Sequence, residues 1–145
     1  MIEKYFLIDT NVLVHVWDNS DLSKHNVAKN FLKNLLLKGK SFVLTSQNMA
    51  ELYNVLRCKS EKKVSERDAR EIIEDINTNK DIRKISYNHI SVQNAIELTE
   101  KYSTHFWDAL IATTMLENGI TQIYTENIKD FSKIPDIVAI NPFEN

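Results

Sequence analysis

The chain has 145 residues, 43% of them hydrophobic and 26% charged, the size and make-up of one ordinary globular domain with a core of its own. Its net charge of -2 excludes a surface that is basic throughout, so any contact with nucleic acid has to come from a local patch. One cysteine, Cys58, excludes an intramolecular disulfide framework and a cysteine-based zinc site, fits a reducing compartment and is expected to serve in packing.

The opening stretch from Ile2 to Trp17 is apolar but interrupted by Glu3, Lys4 and Asp9, and it lacks the clean apolar region and cleavage site of a signal peptide. No other segment approaches the roughly 20 apolar residues of a membrane span. A single cytoplasmic domain over residues 1–145, with no membrane part, is the expectation.

Tyr5-Phe6-Leu7-Ile8 reads as a short buried strand that ends at Asp9-Thr10-Asn11, where Thr10 or Asn11 is placed to cap a helix through Val12, Val14 and Val16. Val27, Ala28, Phe31, Leu32, Leu35 and Leu36 follow helical spacing and stop at Gly39. Ser41 to Leu44 reads as a second strand, with Thr45 or Ser46 as cap of a helix whose apolar side carries Met49, Leu52, Tyr53, Val55 and Leu56. A charged loop from Lys59 to Lys63 leads to a helix carrying Ala69, Ile72, Ile73 and Ile76, then a short extended piece over Ile82 to Ile85.

Val92, Ala95, Ile96 and Leu98 mark another helix. Phe106 to Leu116 is apolar almost all round, as a helix buried in the middle of a domain should be, and Asn118-Gly119 stops it. Gln122 to Tyr124 and Ile137 to Ile140 read as closing strands. Such alternation predicts an α/β fold, a three-layer α/β/α arrangement with a central parallel sheet. Two glycines, Gly39 and Gly119, are too few for a P-loop or a dinucleotide-binding turn, which excludes nucleotide-triphosphate and NAD chemistry.

The carboxylates carry the chemistry. Asp9 stands where a strand gives way to a helix, at the sheet edge where sites form in open parallel sheets, and it reads equally well as a helix cap. Glu51, early in its helix and beside Met49 and Leu52, reads alone as an ordinary first-turn acid. Asp108 interrupts an apolar helix, and a buried carboxylate costs several kcal/mol unless it pairs, protonates or binds metal. Its helix N-terminus near Thr104 and neighbouring His105 offer the plainer explanation. Glu126 and Asp130 again follow a strand, and each alone passes for a loop acid.

Taken together, acids at strand ends and helix starts are brought to one edge by a parallel sheet. Two like charges about 4 Å apart repel by roughly 4 kcal/mol at an effective dielectric near 20, so the group invites a cation. Oxygen-only ligands suit Mg²⁺ or Mn²⁺. His15, His25, His89 and His105 lack zinc-motif spacing and read as structural or surface residues.

These segments resemble the PIN-domain nucleases, including the toxins of toxin–antitoxin pairs. Phe6-Leu7-Ile8-Asp9-Thr10-Asn11-Val12-Leu13-Val14 is similar to their opening motif, and Thr45 to Leu56 to the segment with their second acid, here Glu51. Phe106-Trp107-Asp108-Ala109-Leu110-Ile111 looks like the third, and Ile123-Tyr124-Thr125-Glu126-Asn127 through Asn141-Pro142-Phe143 like their closing strand pair. The match runs nearly the whole chain in the right order, which makes it specific. One departure is Asn127, where many members have Asp.

The resemblance implies a single PIN-like domain with an acidic pocket holding Mg²⁺ or Mn²⁺ and hydrolysing RNA. Asp9, Glu51, Asp108 and Asp130 would be its catalytic acids, and Asp9, Glu51, Asp108 and Asn127 the metal ligands. Asp130, Glu126 and Asn127 remain alternatives for the fourth position. Thr10, Asn11 and Thr125 would orient the ligands by hydrogen bonds. Arg57, Lys59, Lys62 and Lys63, with Arg67 and Arg70 further along and Lys24 as a second candidate, would attract phosphate, or form no more than a solvated face. RNA as substrate, a cognate antitoxin and a homodimer are the implied partners.

Three other readings are open to comparison. A phosphatase with a strand-end Asp nucleophile needs a second Asp two residues on, where Asn11 stands. A receiver domain needs a phosphorylatable Asp after the Ser41 to Leu44 strand and a late-strand Lys, and neither fits. A non-catalytic PIN-like module that binds RNA or protein is the alternative raised by Asn127.

Overall fold

The computed structural model describes residues 5–59 and 63–144 of the chain. In chain order the elements are β1 (Leu7–Ile8), α1 (Thr10–Leu13) continued by a 3₁₀ turn (Val14–Val16), α2 (Leu22–Leu37), β2 (Phe42–Thr45), and α3 (Ser46–Asn54) prolonged by a π turn (Val55–Lys59). There follow α4 (Glu66–Thr78), β3 (Ile82–Ile85), α5 (His89–Tyr102), α6 (Phe106–Glu117), β4 (Gln122–Tyr124), α7 (Ile128–Phe131) and β5 (Val138–Ile140).

All neighbouring strands pair parallel, in the order β3-β2-β1-β4-β5. The predicted three-layer arrangement is therefore present, and period-two alternation shows why. Phe6, Ile8, Phe42 and Leu44 join one cluster with Leu35, Leu52, Leu56 and Ile76 from α2, α3, the π turn and α4. Leu7, Val43 and Ile123 point the other way, to Ile111, Ala112 and Met115 of α6. Strands buried on both faces must read as continuous apolar runs, as these do.

The weakly marked Ile82–Ile85 piece is a genuine edge strand, paired along its length with β2. Gly39 and Gly119 follow their helices at φ 62° and 72°, the left-handed conformation that ends a helix most cheaply at glycine. Three features differ from expectation. Asp9, and not Thr10 or Asn11, caps α1, which already begins at Thr10. The short helix α7 was not foreseen within the loop after β4. Cys58 does not pack: it is exposed, because it lies two residues from fully buried Leu56 and so on the opposite side of the turn. Among the described residues no helix is long and apolar enough to cross a membrane.

The strand order places the site. From β1 the chain proceeds outward through β2 to β3, then returns to lay β4 on the other side of β1. The connections therefore diverge beyond the carboxyl ends of β1 and β4, and an open crevice at that switch point follows from the topology.

Candidate active site

Asp9 and Thr125 are the residues that leave β1 and β4 at this crevice. Asp9 caps α1 and is only 5% exposed. Its Oδ1 accepts from the Thr10 amide at 2.8 Å and the Asn48 side-chain amide at 3.3 Å, and its Oδ2 accepts from Thr125 Oγ1 at 2.8 Å. Cap and functional acid, alternatives in the sequence, are thus compatible roles of one carboxylate. Burial pushes its carboxyl up to about 7, and the charges of Asp108 and Glu51 add to the rise. The hydrogen bonds from Thr125 and Thr10 act in the opposite direction.

Asp108, in the first turn of α6, is half-buried. Burial lifts it to about 6, helped by the charge of Asp130, a hydrogen bond with that residue and the charge of Glu51, while His105 opposes the rise. Asp130 responds differently: its burial is outweighed by hydrogen bonds from Asn127 and Lys133, which hold it below the usual carboxylate range. Asn127 donates through Nδ2 to Asp108 Oδ2 and to Asp130 Oδ2, the latter at 3.3 Å. One amide thereby spans both acids.

Asp9, Glu51, Asp108 and Glu126 all open on a single cavity of about 360 Å³, walled also by Thr10, Asn11 and Val55. The smaller apolar concavity between α2, α4 and the sheet, of about 160 Å³, is lined mainly by residues such as Leu13, Trp17 and Ile76 and lacks convergent polar groups. Convergent acidic side chains mark the other cavity as the candidate site.

Of the predicted hydrogen-bonding residues, Thr10 and Asn11 line it, and buried Thr125 reaches it through its bond to Asp9. Thr10 Oγ1 donates to the Asn48 carbonyl at 3.1 Å. Asn11 links β1 to β4 by donating to Thr125 Oγ1 at 3.3 Å and accepting from the Glu126 amide at 3.1 Å. Glu126 itself is engaged at the rim, 3.1 Å from Lys24 Nζ and 3.2 Å from His15 Nε2. Lys24 is therefore committed to an acid of the cavity.

The basic group stands apart. Arg57 is turned back on its own loop, donating to the Val64 carbonyl at 2.8 Å and pairing with Glu66 at 3.4 Å, and Arg67 pairs with Glu71 along α4. Lys59 and Lys63 are exposed, and none of these cations lines the acidic cavity. Lys62 lies outside the described residues.

Two functional positions were missed. Asn48, 1% exposed, closes a capping box with Thr45 and uses its amide to brace Asp9 and Thr10. Its position three residues after Thr45 is the sequence sign of a capping box. Gln47, on the preceding position, donates to Glu51 Oε1 at 2.9 Å and to the Trp107 carbonyl at 3.1 Å, so it ties Glu51 to the start of α6.

The donor set fits a hard divalent cation. It is oxygen-only, the charges of Asp108 and Glu51 raise the proton affinity of Asp9 and the charge of Glu51 raises that of Asp108, and among the described residues no Lys or Arg pairs with Asp9, Glu51 or Asp108. Also among the described residues, no group of three acidic, His or Cys side chains is arranged to hold a metal ion by itself. Mg²⁺ asks for less, being held by one or two carboxylates with water completing its shell.

The PIN domain family profile matches residues 6–137. The chain belongs to the PIN domain family. No curated protein matches the chain. Solved PIN-fold structures do: VapC20 of Mycobacterium tuberculosis, described as a sarcin-ricin loop cleaving toxin, at 16% identity and TM-score 0.67, covering 88% of this chain and 93% of its own. A toxin–antitoxin complex from Klebsiella pneumoniae is similar at 19% identity and TM-score 0.63, over 99% of this chain and 100% of the other. VapBC2 of Rickettsia felis, bound to a promoter DNA fragment, gives 22% and 0.62, over 93% and 96%. At such identities these likenesses establish the shared PIN fold over nearly the full length of each chain.

Proposed function

We propose that this PIN domain is a Mg²⁺- or Mn²⁺-dependent endoribonuclease, the toxin of a toxin–antitoxin pair. The observation that carries the reading is the convergence of buried Asp9 with Glu51 and Asp108 on one cavity at the sheet's switch point. The toxin assignment draws on the company of the fold: the similar structures include a sarcin-ricin loop cleaving toxin and a toxin–antitoxin complex. On the same analogy its partners are RNA, a cognate antitoxin and a second copy of the chain, and its setting the cytoplasm.

Asp9, Glu51 and Asp108 would hold the ion, which when bound activates water and offsets charge on the phosphoryl oxygens. The chain's own residues supply position. Thr10, Asn48 and Thr125 fix both oxygens of Asp9, and Gln47 fixes Glu51 against α6. Asn11 locks the two strand ends together, so that Asp9 and Thr125 keep their spacing. Asn127 and Asp130 set the orientation and charge of Asp108, with Asn127 acting as a donor to it.

That last contact favours one second reading. An amide spanning Asp108 and Asp130 partly satisfies the acids without an ion, as a non-catalytic RNA- or protein-binding module would require. Expression in a bacterial host separates the two. A nuclease toxin arrests growth, loses the effect in Asp9→Asn, and is neutralised by coexpression of the adjacent open reading frame. Growth unaffected by the wild-type chain, with RNA binding retained in vitro, favours the module.

A further inference from the structure

Beside the acidic cavity lies a second opening. It is a depression of about 430 Å³ lined by Ser46, Gln47, Ala50, Glu51, Tyr87 and Trp107. Glu51 is common to both openings. The depression sits beyond the carboxyl ends of β2 and β3, while Asp9 follows β1 on the same edge. Neighbouring strands are about 4.8 Å apart, so the two openings are offset by one or two strand spacings, the scale of one nucleotide step.

Three observations give this depression a chemistry. First, Trp107 is 61% exposed and Tyr87 40% exposed, although Trp107 belongs to a helix whose residues from Ala109 to Met115 are buried. Nothing in the packing of α6 calls for an indole there. Secondly, the Trp107 ring has a packing partner, and the chain on both sides of the depression is tied down. Phe106 meets Trp107 edge-on, with centroids 5.1 Å apart at 72°, and Gln47 binds the Trp107 carbonyl. Ser86, next to Tyr87, shares a 2.6 Å hydrogen bond with Ser46. Pre-ordered rings lose little entropy when a flat ligand stacks on them.

Thirdly, Gln47 is 8% exposed, and its Oε1 is buried without a hydrogen-bond partner. The amide cannot be turned round to cure this, since its Nε2 sits between two acceptors, Glu51 Oε1 and the Trp107 carbonyl. A buried acceptor left unpaired is uncommon and asks for a donor from outside.

We propose that this depression is a subsite for an unpaired nucleobase of the RNA strand whose phosphate lies at the Asp9–Asp108 cavity, an inference that rests on the nuclease reading. Trp107 and Tyr87 supply the stacking faces, which accept any base. Gln47 Oε1 supplies an acceptor for an exocyclic amino group, which favours adenine, cytosine or guanine over uracil. The substrate class that follows is single-stranded or looped RNA, since a base within a duplex has no free face to offer.

The test is made in the Asp9→Asn chain with Mg²⁺ present, so that the strand stays intact. Two probes are compared at fixed salt: a short mixed-sequence single-stranded RNA, and a strand of abasic ribose phosphates of equal length. Adding Trp107→Ala is expected to weaken binding of the RNA about tenfold, with Trp107→Phe keeping most of it, and to leave the abasic strand unaffected. Tyr87→Ala should act in the same direction.

Unchanged RNA affinity in both alanine variants overturns the subsite while leaving the nuclease reading intact. So does an equal loss on the abasic strand. Sedimentation showing that Trp107→Ala dissociates a dimer, with both probes weakened alike, assigns the surface to a second copy and also overturns it. A parent chain that binds neither probe removes the nuclease reading together with the subsite.

Discussion

Thr125 Oγ1 donates a 2.8 Å hydrogen bond to Asp9 Oδ2, joining two residues 116 positions apart at the ends of adjacent strands. The hydroxyl also accepts from Asn11 and from the Asn127 amide. Its proton is therefore directed at Asp9, and it favours the charged form of a carboxyl that burial would neutralise.

Thr125→Val should remove that preference with little change in shape. Cleavage is expected to fall by about 10- to 100-fold, the usual cost of losing a residue that orients a metal ligand. The pH profile is diagnostic: its acidic limb should move to higher pH in the valine variant and return with Thr125→Ser. A uniform loss with an unmoved limb would show that Thr125 serves packing alone.

Asp9 also makes stability depend on pH in the metal-free chain. The folded state holds its proton more tightly, at about 7 against 3.8 unfolded, so the contribution is complete below the unfolded value and is lost as pH rises through 7. Roughly 3 units correspond to about 4 kcal/mol between those limits. With a chelator present, the melting temperature should be higher at pH 5.5 than at pH 7.5, and Asp9→Asn should flatten that difference. Added Mn²⁺ should stabilise the wild type more at the higher pH. A metal-free melting temperature that rises with pH would contradict this electrostatic account.

Asn127→Asp replaces the donor that contacts Asp108 with an acid. Beside Asp108 and Asp130 it should destabilise the metal-free chain at neutral pH and tighten Mn²⁺ binding, both measurable by calorimetry. Loss of stability without gain in affinity would mean that position 127 does not face the ion.

Much of this arrangement was legible in the sequence, for identifiable reasons. Asp9 and Asp108 each break an apolar run, and such breaks are visible without coordinates. The sheet was legible because β1 and β2 bury both faces and so read as continuous apolar stretches. Asn48 and Gln47 were not. A polar residue early in a helix looks solvated until the facing elements are known, and theirs are α1 and α6. The role of Asn127 depends on which way its amide points, which residue type alone does not encode. Cys58 was misplaced because it was read from residue type alone, although it stands two residues from buried Leu56 and so on the outer side of the turn.

The basic residues after α3 admit a test independent of the active site. If Lys59 and Lys63 meet phosphates, replacing both by alanine should lessen the dependence of log affinity on log salt by about 0.7 for each lost contact with single-stranded RNA. An unchanged slope assigns them to solvent, and attention passes to Lys24 beside Glu126.

Cleavage by the purified chain bears most directly on the central claim, that Asp9, Glu51 and Asp108 form a divalent-metal nuclease centre. The wild type should cut single-stranded or structured RNA with Mg²⁺ or Mn²⁺, stop on chelation, and lose the activity in Asp9→Asn and in Asp108→Asn while both variants remain folded. Cleavage that persists in both variants, or that proceeds equally without metal, would contradict the claim.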